Sequence, residues 1–161
     1  MELTRLDKLF KIIHGNKFDL NKMTQISPKE NAIAFVGRSG ENNGVVAYVE
    51  KYEDIEPFQS GNITVALGGS ALSSFVQHRP FYTAQNIDVL LPLTNMTLDV
   101  KLYYCLCIEA NQFRYSTFGR EANRTLHTLL VPKIEEIPSW VKGIAKKALD
   151  DVQANLTNML S

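Results

Sequence analysis

FRYSTFGREANRTLHTLLVP, residues 113–132, is a stretch in which cationic and aromatic side chains lead into an apolar end. It holds three arginines and two central aromatics against a single acid, namely Arg114, Arg120, Arg124, Tyr115, Phe118 and Glu121. When its apolar end packs in the core, such a segment presents arginine side chains at the surface. Their planar guanidinium groups can pair with phosphates and with base edges. Arginines that are solvated or paired with distant carboxylates produce the same pattern, so the rest of the chain must decide between the two interpretations.

Length and composition indicate one ordinary domain with its own core. The chain has 161 residues, of which 45% are hydrophobic and 21% charged. No apolar run approaches the roughly 20 residues that a membrane-spanning helix needs, and the charged N-terminus is not typical of a signal peptide. We therefore expect a cytoplasmic protein with no membrane partner.

Formal net charge is zero, so attraction of the whole molecule to nucleic acid or anionic lipid is not supported. The charges are nevertheless segregated. Residues 1–29 carry six Lys or Arg against three acids, and residues 113–133 carry four against one. Residues 41–57 show the opposite balance, with five acids and one lysine. A neutral protein with this distribution can still have a basic face.

The two cysteines, Cys105 and Cys107, are too close in sequence for an unstrained disulfide in regular structure. In a chain without a signal peptide they are expected to be reduced thiols. Three scattered histidines, His14, His78 and His127, do not complete a metal-ligand pattern with them. The sequence therefore predicts no metal site in this chain.

Short apolar segments separated by Gly, Asn and Pro predict a succession of strands. They cover residues 31–37, 45–50, 61–68, 73–77, 80–84, 86–93 and 126–132. Residues 3–14 have apolar positions at helical spacing, which predicts a short helix that passes into a strand ending at Gly15 and Asn16. Asp19 is expected to cap a helical turn.

Two further helices are predicted. Residues 95–110 place apolar side chains mainly on one face, those of Leu98, Leu102, Cys105, Leu106 and Ile108. Residues 139–161 form an amphipathic pattern with Trp140 at its start. The order indicates an α+β fold: a curled, barrel-like, β-rich domain over residues 1–138 with an internal helix, followed by a C-terminal helix over 139–161.

Common catalytic motifs do not occur. A P-loop, a dinucleotide-binding glycine fingerprint and a Gly-x-Ser-x-Gly elbow are not found. The nearest match to a metal-dependent nuclease is Asp88 with Asp99 and Lys101. Asp99 and Lys101 are two positions apart in a predicted helix and face different ways. The sequence therefore argues against an enzyme acting alone.

Arginine recurs with asparagine or glutamine on three predicted loops. The predicted contact residues are Arg38, Asn42 and Asn43 on the first loop, Gln77, His78 and Arg79 on the second, and Arg114, Tyr115, Arg120 and Arg124 on the third. Arginine can pair bidentately with guanine, and asparagine or glutamine with adenine. Glycine-rich tips also favour asparagine for turn geometry alone, but the recurrence on three loops favours DNA binding.

These segments together resemble a known family. FVGRSGENNGVVAYV (35–49), GNITVALGGSALSSFVQHRPFYTAQNIDVLLP (61–92) and the 113–132 stretch are similar to the target recognition domain of restriction–modification specificity subunits. The similarity is greatest to type I specificity subunits and to the related domain of type II restriction enzymes. FGREANRTL (118–126) is the most specific piece, and KLFKIIHGNKFDLNKM (8–23) resembles the entry to such a domain. The resemblance covers nearly all of residues 6–141.

The resemblance implies a non-catalytic domain that grips double-stranded DNA and reads one half of a bipartite site. A modification methyltransferase subunit and a restriction subunit would be its partners. S-adenosylmethionine, Mg and ATP would be bound by those partners and not by this chain. A complete specificity subunit carries two recognition domains and two long helices, whereas this sequence has one of each. It is either a piece of a longer chain or a half-size subunit that pairs with another half or forms a homodimer through its C-terminal helix.

Within the 113–132 stretch, Arg120, Asn123 and Thr125 are expected to hold the fold or the DNA backbone. Base contacts are expected instead from the Arg38–Asn43 tip and the Gln77–Arg79 turn. Two other functions stay open at this point. One is a stand-alone metal-dependent nuclease, and the other is a protein-interaction module acting through the C-terminal helix.

Overall fold

The structure, a computed structural model, describes residues 1–112, 125–144 and 146–147. Nine strands and one complete α-helix are present in these residues, and residues 144 and 146–147 are also α-helical. The strands are β1 (Leu3–Arg5), β2 (Phe10–His14), β3 (Ile33–Val36), β4 (Val45–Val49), β5 (Ile63–Ala66), β6 (Ser74–Val76), β7 (Phe81–Thr83), β8 (Ile87–Pro92) and β9 (Leu130–Pro132). The helix α1 is Leu98–Glu109. Single 3-10 turns include Leu6–Lys8, Leu20–Lys22, Asn42–Gly44, Leu126–Thr128 and Ser139–Val141.

The strands form three sheets and not the single barrel-like sheet that we predicted. A four-stranded antiparallel sheet has the order β2-β8-β5-β6, a three-stranded sheet has the order β4-β3-β7, and β1 pairs with β9. In the three-stranded sheet β7 runs parallel to β3. No closed barrel exists within the described ranges, because each sheet ends in edge strands that pair on one side only. The described residues form a mixed α/β fold, which agrees with the prediction of α+β only in its combination of strands with an internal helix.

The largest core cluster lies between the four-stranded sheet and α1. Tyr104 is fully buried in it, its ring meets Phe10 edge-on at 5.7 Å between centroids, and its hydroxyl donates to the carbonyl of Pro132 at 2.8 Å. The helix therefore fixes β2 and β9 together. The predicted apolar face of the helix was partly wrong, since Leu98 and Leu106 are exposed and the two tyrosines Tyr103 and Tyr104 are buried.

Several local predictions are confirmed. β3 and β4 form the expected hairpin, and the side chain of Asp19 accepts a hydrogen bond from the Asn21 amide at 3.0 Å. For residues 3–14 the predicted strand before Gly15 is confirmed as β2, whereas the predicted helix before it was wrong, because that part consists of β1 and one 3-10 turn. Pairing of β1 with β9, more than a hundred residues away in sequence, overrides the local helical spacing.

Of the predicted C-terminal helix, residues 145 and 148–161 lie outside the described part of the chain. Its described start is the 3-10 turn Ser139–Val141, where Trp140 is exposed and packs edge-on against Tyr103. The boundary between 1–138 and 139–161 stays a prediction. No helix among the residues described here is long and apolar enough to cross a membrane.

Candidate nucleic-acid interface

The backbone at the tip of the β3–β4 hairpin adopts a conformation that its residue types favour. Asn42, Asn43 and Gly44 all have positive φ angles, of 51°, 58° and 76°. Asparagine and glycine adopt this left-handed region at the lowest cost. Gly37 closes the loop by donating its amide to the Gly44 carbonyl at 2.9 Å. The Asn-Asn-Gly sequence thus selects the shape of residues 37–44, which we call the hairpin tip.

Reciprocal amide hydrogen bonds tie the hairpin tip to the end of β6. The Asn43 Nδ2 donates to the Val76 carbonyl at 3.0 Å and to the Gln77 Oε1 at 3.4 Å. In return, the Gln77 Nε2 donates to the Asn43 carbonyl at 2.9 Å and to the Thr64 Oγ1 at 3.0 Å. These bonds connect the three-stranded sheet to the four-stranded sheet, and they bring two of the three predicted loops together.

The same bonds change the role of two predicted contact residues. Gln77 is only 1% exposed, so its amide does not reach a base edge in this structure. Asn43 is half-buried with its amide directed inward. Both side chains hold the hairpin tip in place, and the exposed neighbours Asn42 and His78 are the groups that face solvent. Burial of this kind could not be read from the loop sequence.

Arg38 lies exposed beside the turn between β5 and β6. A Cβ added to Gly68 would lie 3.3 Å from the Arg38 Nη1, and one added to Gly69 would lie 3.1 Å from the Arg38 Cβ. The Ser70 amide donates to the Arg38 carbonyl at 3.3 Å. The two glycines therefore make room for the arginine, whose guanidinium stays at the surface next to the hairpin tip.

Arg79 is mainly occupied within the protein. Its Nη1 donates to the carbonyls of Lys29 at 2.9 Å and Ala32 at 3.2 Å, and its guanidinium lies 4.9 Å from the centroid of the Tyr48 ring. These contacts join the turn before β3 to β4. Arg79 was predicted to contact DNA, and the structure places it where it supports the sheet that carries the hairpin tip.

A cleft of about 570 Å³ separates the hairpin tip from the C-terminal end of α1. Its walls include Gly40, Ser70 and Phe75 on one side and Glu109 and Gln112 on the other. The Glu109 carboxylate accepts from the Ser74 amide at 3.0 Å, which anchors the helix end to β6. In sequence, Gln112 directly precedes the predicted third loop. The predicted contacts Arg114, Tyr115, Arg120 and Arg124 lie outside the described residues.

One arrangement near this surface was not foreseen as a site. Asp88, fully buried in β8, lies opposite His14 of β2, and the Asp88 Oδ1 is 2.7 Å from the His14 Nδ1. Burial raises the pKa of the Asp88 carboxyl, and the hydrogen bond with His14 partly opposes this rise. The two residues are 74 positions apart, so only the β2–β8 register could have revealed the pair.

The positions of Asp88, Asp99 and Lys101 do not support the nuclease hypothesis. Asp88 is engaged with His14, Asp99 accepts from the Gly143 amide at 2.9 Å, and the Lys101 Nζ lies near Gly61. No group of three or more His, Cys, Asp or Glu able to hold a metal is found in the described ranges. Cys105 is buried, and burial raises the pKa of its thiol to about 12, which makes it a poor nucleophile.

Solved structures with the same fold include three from restriction–modification systems. The S subunit of a type I system from M. genitalium matches with a TM-score of 0.67 at 13% identity, over 99% of this chain and 42% of that one. A type I structure that describes complex assembly and conformational transition matches at 0.65 and 17%, over 99% and 42%. The HsdS subunit of Thermoanaerobacter tengcongensis matches at 0.61 and 15%, over 98% and 38%.

Sequence comparisons agree with the resemblance stated above. A curated relative, the specificity subunit S.BcgI of a type II restriction enzyme from Heyndrickxia coagulans, is 26% identical over 156 residues, which are 93% of this chain and 44% of that protein. The chain thus spans less than half the length of the relatives it matches. The family model described as the type I restriction modification DNA specificity domain matches residues 1–138. The chain belongs to the family of type I restriction–modification DNA specificity domains.

Proposed function

We propose that this domain binds double-stranded DNA and reads one half of a bipartite target sequence. The observation that carries the proposal is the reciprocal Asn43–Gln77 bonding, which holds the exposed Arg38, Asn42 and His78 on one surface formed by two loops. Membership in the DNA specificity family supports the same conclusion.

The exposed side chains have the chemistry that base recognition requires. An arginine pairs bidentately with guanine and an asparagine with adenine, each pair contributing about 1–3 kcal/mol of discrimination. Phosphate contacts by other lysines and arginines would supply affinity that does not depend on sequence. The net charge of zero limits this second contribution, so the isolated domain is expected to bind DNA weakly.

The proposal places catalysis in other chains. A modification methyltransferase subunit would methylate DNA with S-adenosylmethionine, and a restriction subunit would cleave it with Mg and ATP, while this chain selects the sequence in the cytoplasm. The support is its family, since specificity domains direct such partners. We further propose that residues 139–161 mediate contact with a partner or a second copy of the chain, which would supply the other half of a bipartite site.

Selection from a randomised pool of DNA duplexes tests the function directly. We expect the full chain to enrich one short motif over successive rounds. The Arg38→Ala and Asn42→Ala variants should enrich a relaxed motif, degenerate at one position each. Arg5→Ala is a matched control, because Arg5 is exposed and paired with Asp7 on the separate β1–β9 sheet. A pool that shows no enrichment with the native chain would contradict the proposal.

A further inference from the structure

A small surface pocket at the end of β2, where the following loop meets the end of β5 and the start of β8, has the features of a phosphate contact. It has a volume of about 190 Å³, and its lining includes His14, Asn16, Lys17, Leu67 and Asn86. His14 and Lys17 are both exposed, so the pocket offers two groups that can carry positive charge. The acid to which His14 is bonded, Asp88, is buried beneath the pocket.

The buried Asp88 orients the exposed imidazole. Asp88 is 0% exposed, whereas the side chain of His14 is 67% exposed. Because the His14 Nδ1 lies 2.7 Å from the Asp88 Oδ1, that ring nitrogen faces inward and the Nε2 is left for solvent. A carboxylate oxygen that accepts from the Nδ1–H fixes the orientation of the ring and leaves the Nε2 on its outer side. Neither His14 nor Asp88 was among the predicted contact residues.

Burying the Asp88 carboxyl destabilises the fold, so its presence calls for a functional explanation. The Asp88 Oδ2 is buried and has no hydrogen-bond partner in the part of the chain that the structure describes. An unsatisfied buried polar atom destabilises a fold, and such atoms often mark functional sites. Positioning a surface imidazole gives the buried carboxylate a role that stability alone does not.

The pocket is continuous with the proposed DNA-binding surface. The Leu67 amide donates to the Asn86 carbonyl at 2.8 Å, which places the end of β5 against the start of β8. The next residue, Gly68, is the glycine over which the Arg38 guanidinium lies. The lining residue Leu67 thus directly precedes the glycine that contacts Arg38, which links the pocket to the surface that carries Arg38.

We propose that His14, oriented by Asp88 and assisted by Lys17, binds a phosphate of the DNA backbone at the margin of the recognition surface. This inference rests on the proposed DNA binding and extends it to a backbone contact at a defined site on the domain. The charged groups around His14 are Asp88 on β8 and Lys17 on the following loop, and His127 of the 3-10 turn Leu126–Thr128 acts on Asp88 through space.

The test is the dependence of DNA affinity on salt. A nonspecific duplex of about 25 base pairs is sufficient, because a phosphate contact does not depend on sequence. At pH 6, His14→Gln should lower the magnitude of the slope of log K against log salt by about 0.9, the value for one lost phosphate contact. Lys17→Gln should lower it similarly. Lys51→Gln, which removes an exposed lysine paired with Glu56 beyond the other end of β4, should leave it unchanged.

An unchanged slope in His14→Gln, in a chain that still binds DNA, would overturn this inference and leave the proposed function standing. No DNA binding by the native chain at low salt would overturn both.

Discussion

Gln77 shows how a single residue in this domain can affect recognition without contacting DNA. Its amide supplies hydrogen bonds to Asn43 and Thr64 from a position that is 1% exposed. Gln77→Met keeps the length of the side chain and removes these bonds, leaving buried acceptors unpaired. We expect the free energy of unfolding to fall by about 1–3 kcal/mol, measured by chemical denaturation.

The same variant should also bind DNA less selectively, since the hairpin tip would no longer be fixed relative to His78. The ratio of specific to nonspecific affinity is the measurement. Gln59→Met provides the control, because Gln59 is exposed and does not belong to this network. Equal losses of stability in the two variants would contradict the role assigned to Gln77.

At the scale of single elements, local patterns predicted structure well wherever the relevant contacts are local. The β3–β4 hairpin, the Asp19 cap and the helix α1 follow from turn residues, caps and spacing within a few positions. The helix predicted at the start of residues 3–14 does not form, because β1 owes its conformation to β9, which is distant in sequence.

The candidate site also contains some residues that local sequence predicts and others that it does not. Arg38 and Asn42 could be selected from the sequence, since a glycine-rich polar tip predicts exposure. The burial of Gln77, the engagement of Arg79 and the pairing of His14 with Asp88 depend on register between distant strands. Residue type alone gives no information on that register.

A testable prediction for a single element concerns the N-terminal cap of α1. The Thr97 hydroxyl accepts a hydrogen bond from the Val100 amide at 3.3 Å and so caps the helix. Thr97→Ala should lower the free energy of unfolding by about 1 kcal/mol, because one backbone amide of the first turn loses its partner. Thr94→Ala is the matched control, as Thr94 is an exposed threonine ahead of the helix. A loss of the same size in both variants would show that the cap contributes nothing.

The stability of the whole domain should depend on pH through Asp88, which lies inside the four-stranded sheet between β2 and β5. Burial raises the pKa of this carboxyl above its ordinary value of 3.8 in the folded state. The folded protein therefore holds the proton at a pH where the unfolded chain has released it. This contribution to stability is complete below about pH 3.8 and is lost as the pH rises through the folded value.

Asp88→Asn removes this titration while its Oδ1 still accepts from His14. Measured by denaturation at several pH values from 4 upwards, the native chain should lose stability relative to Asp88→Asn as the pH increases. The exposed Glu2, whose pKa is lowered by Lys133, acts in the opposite direction but equally in both proteins, so the difference isolates Asp88. A constant difference across the series would mean that the Asp88 carboxyl has the same pKa in the folded and unfolded chains. The same result would remove the argument that the fold tolerates a costly buried acid in order to hold His14.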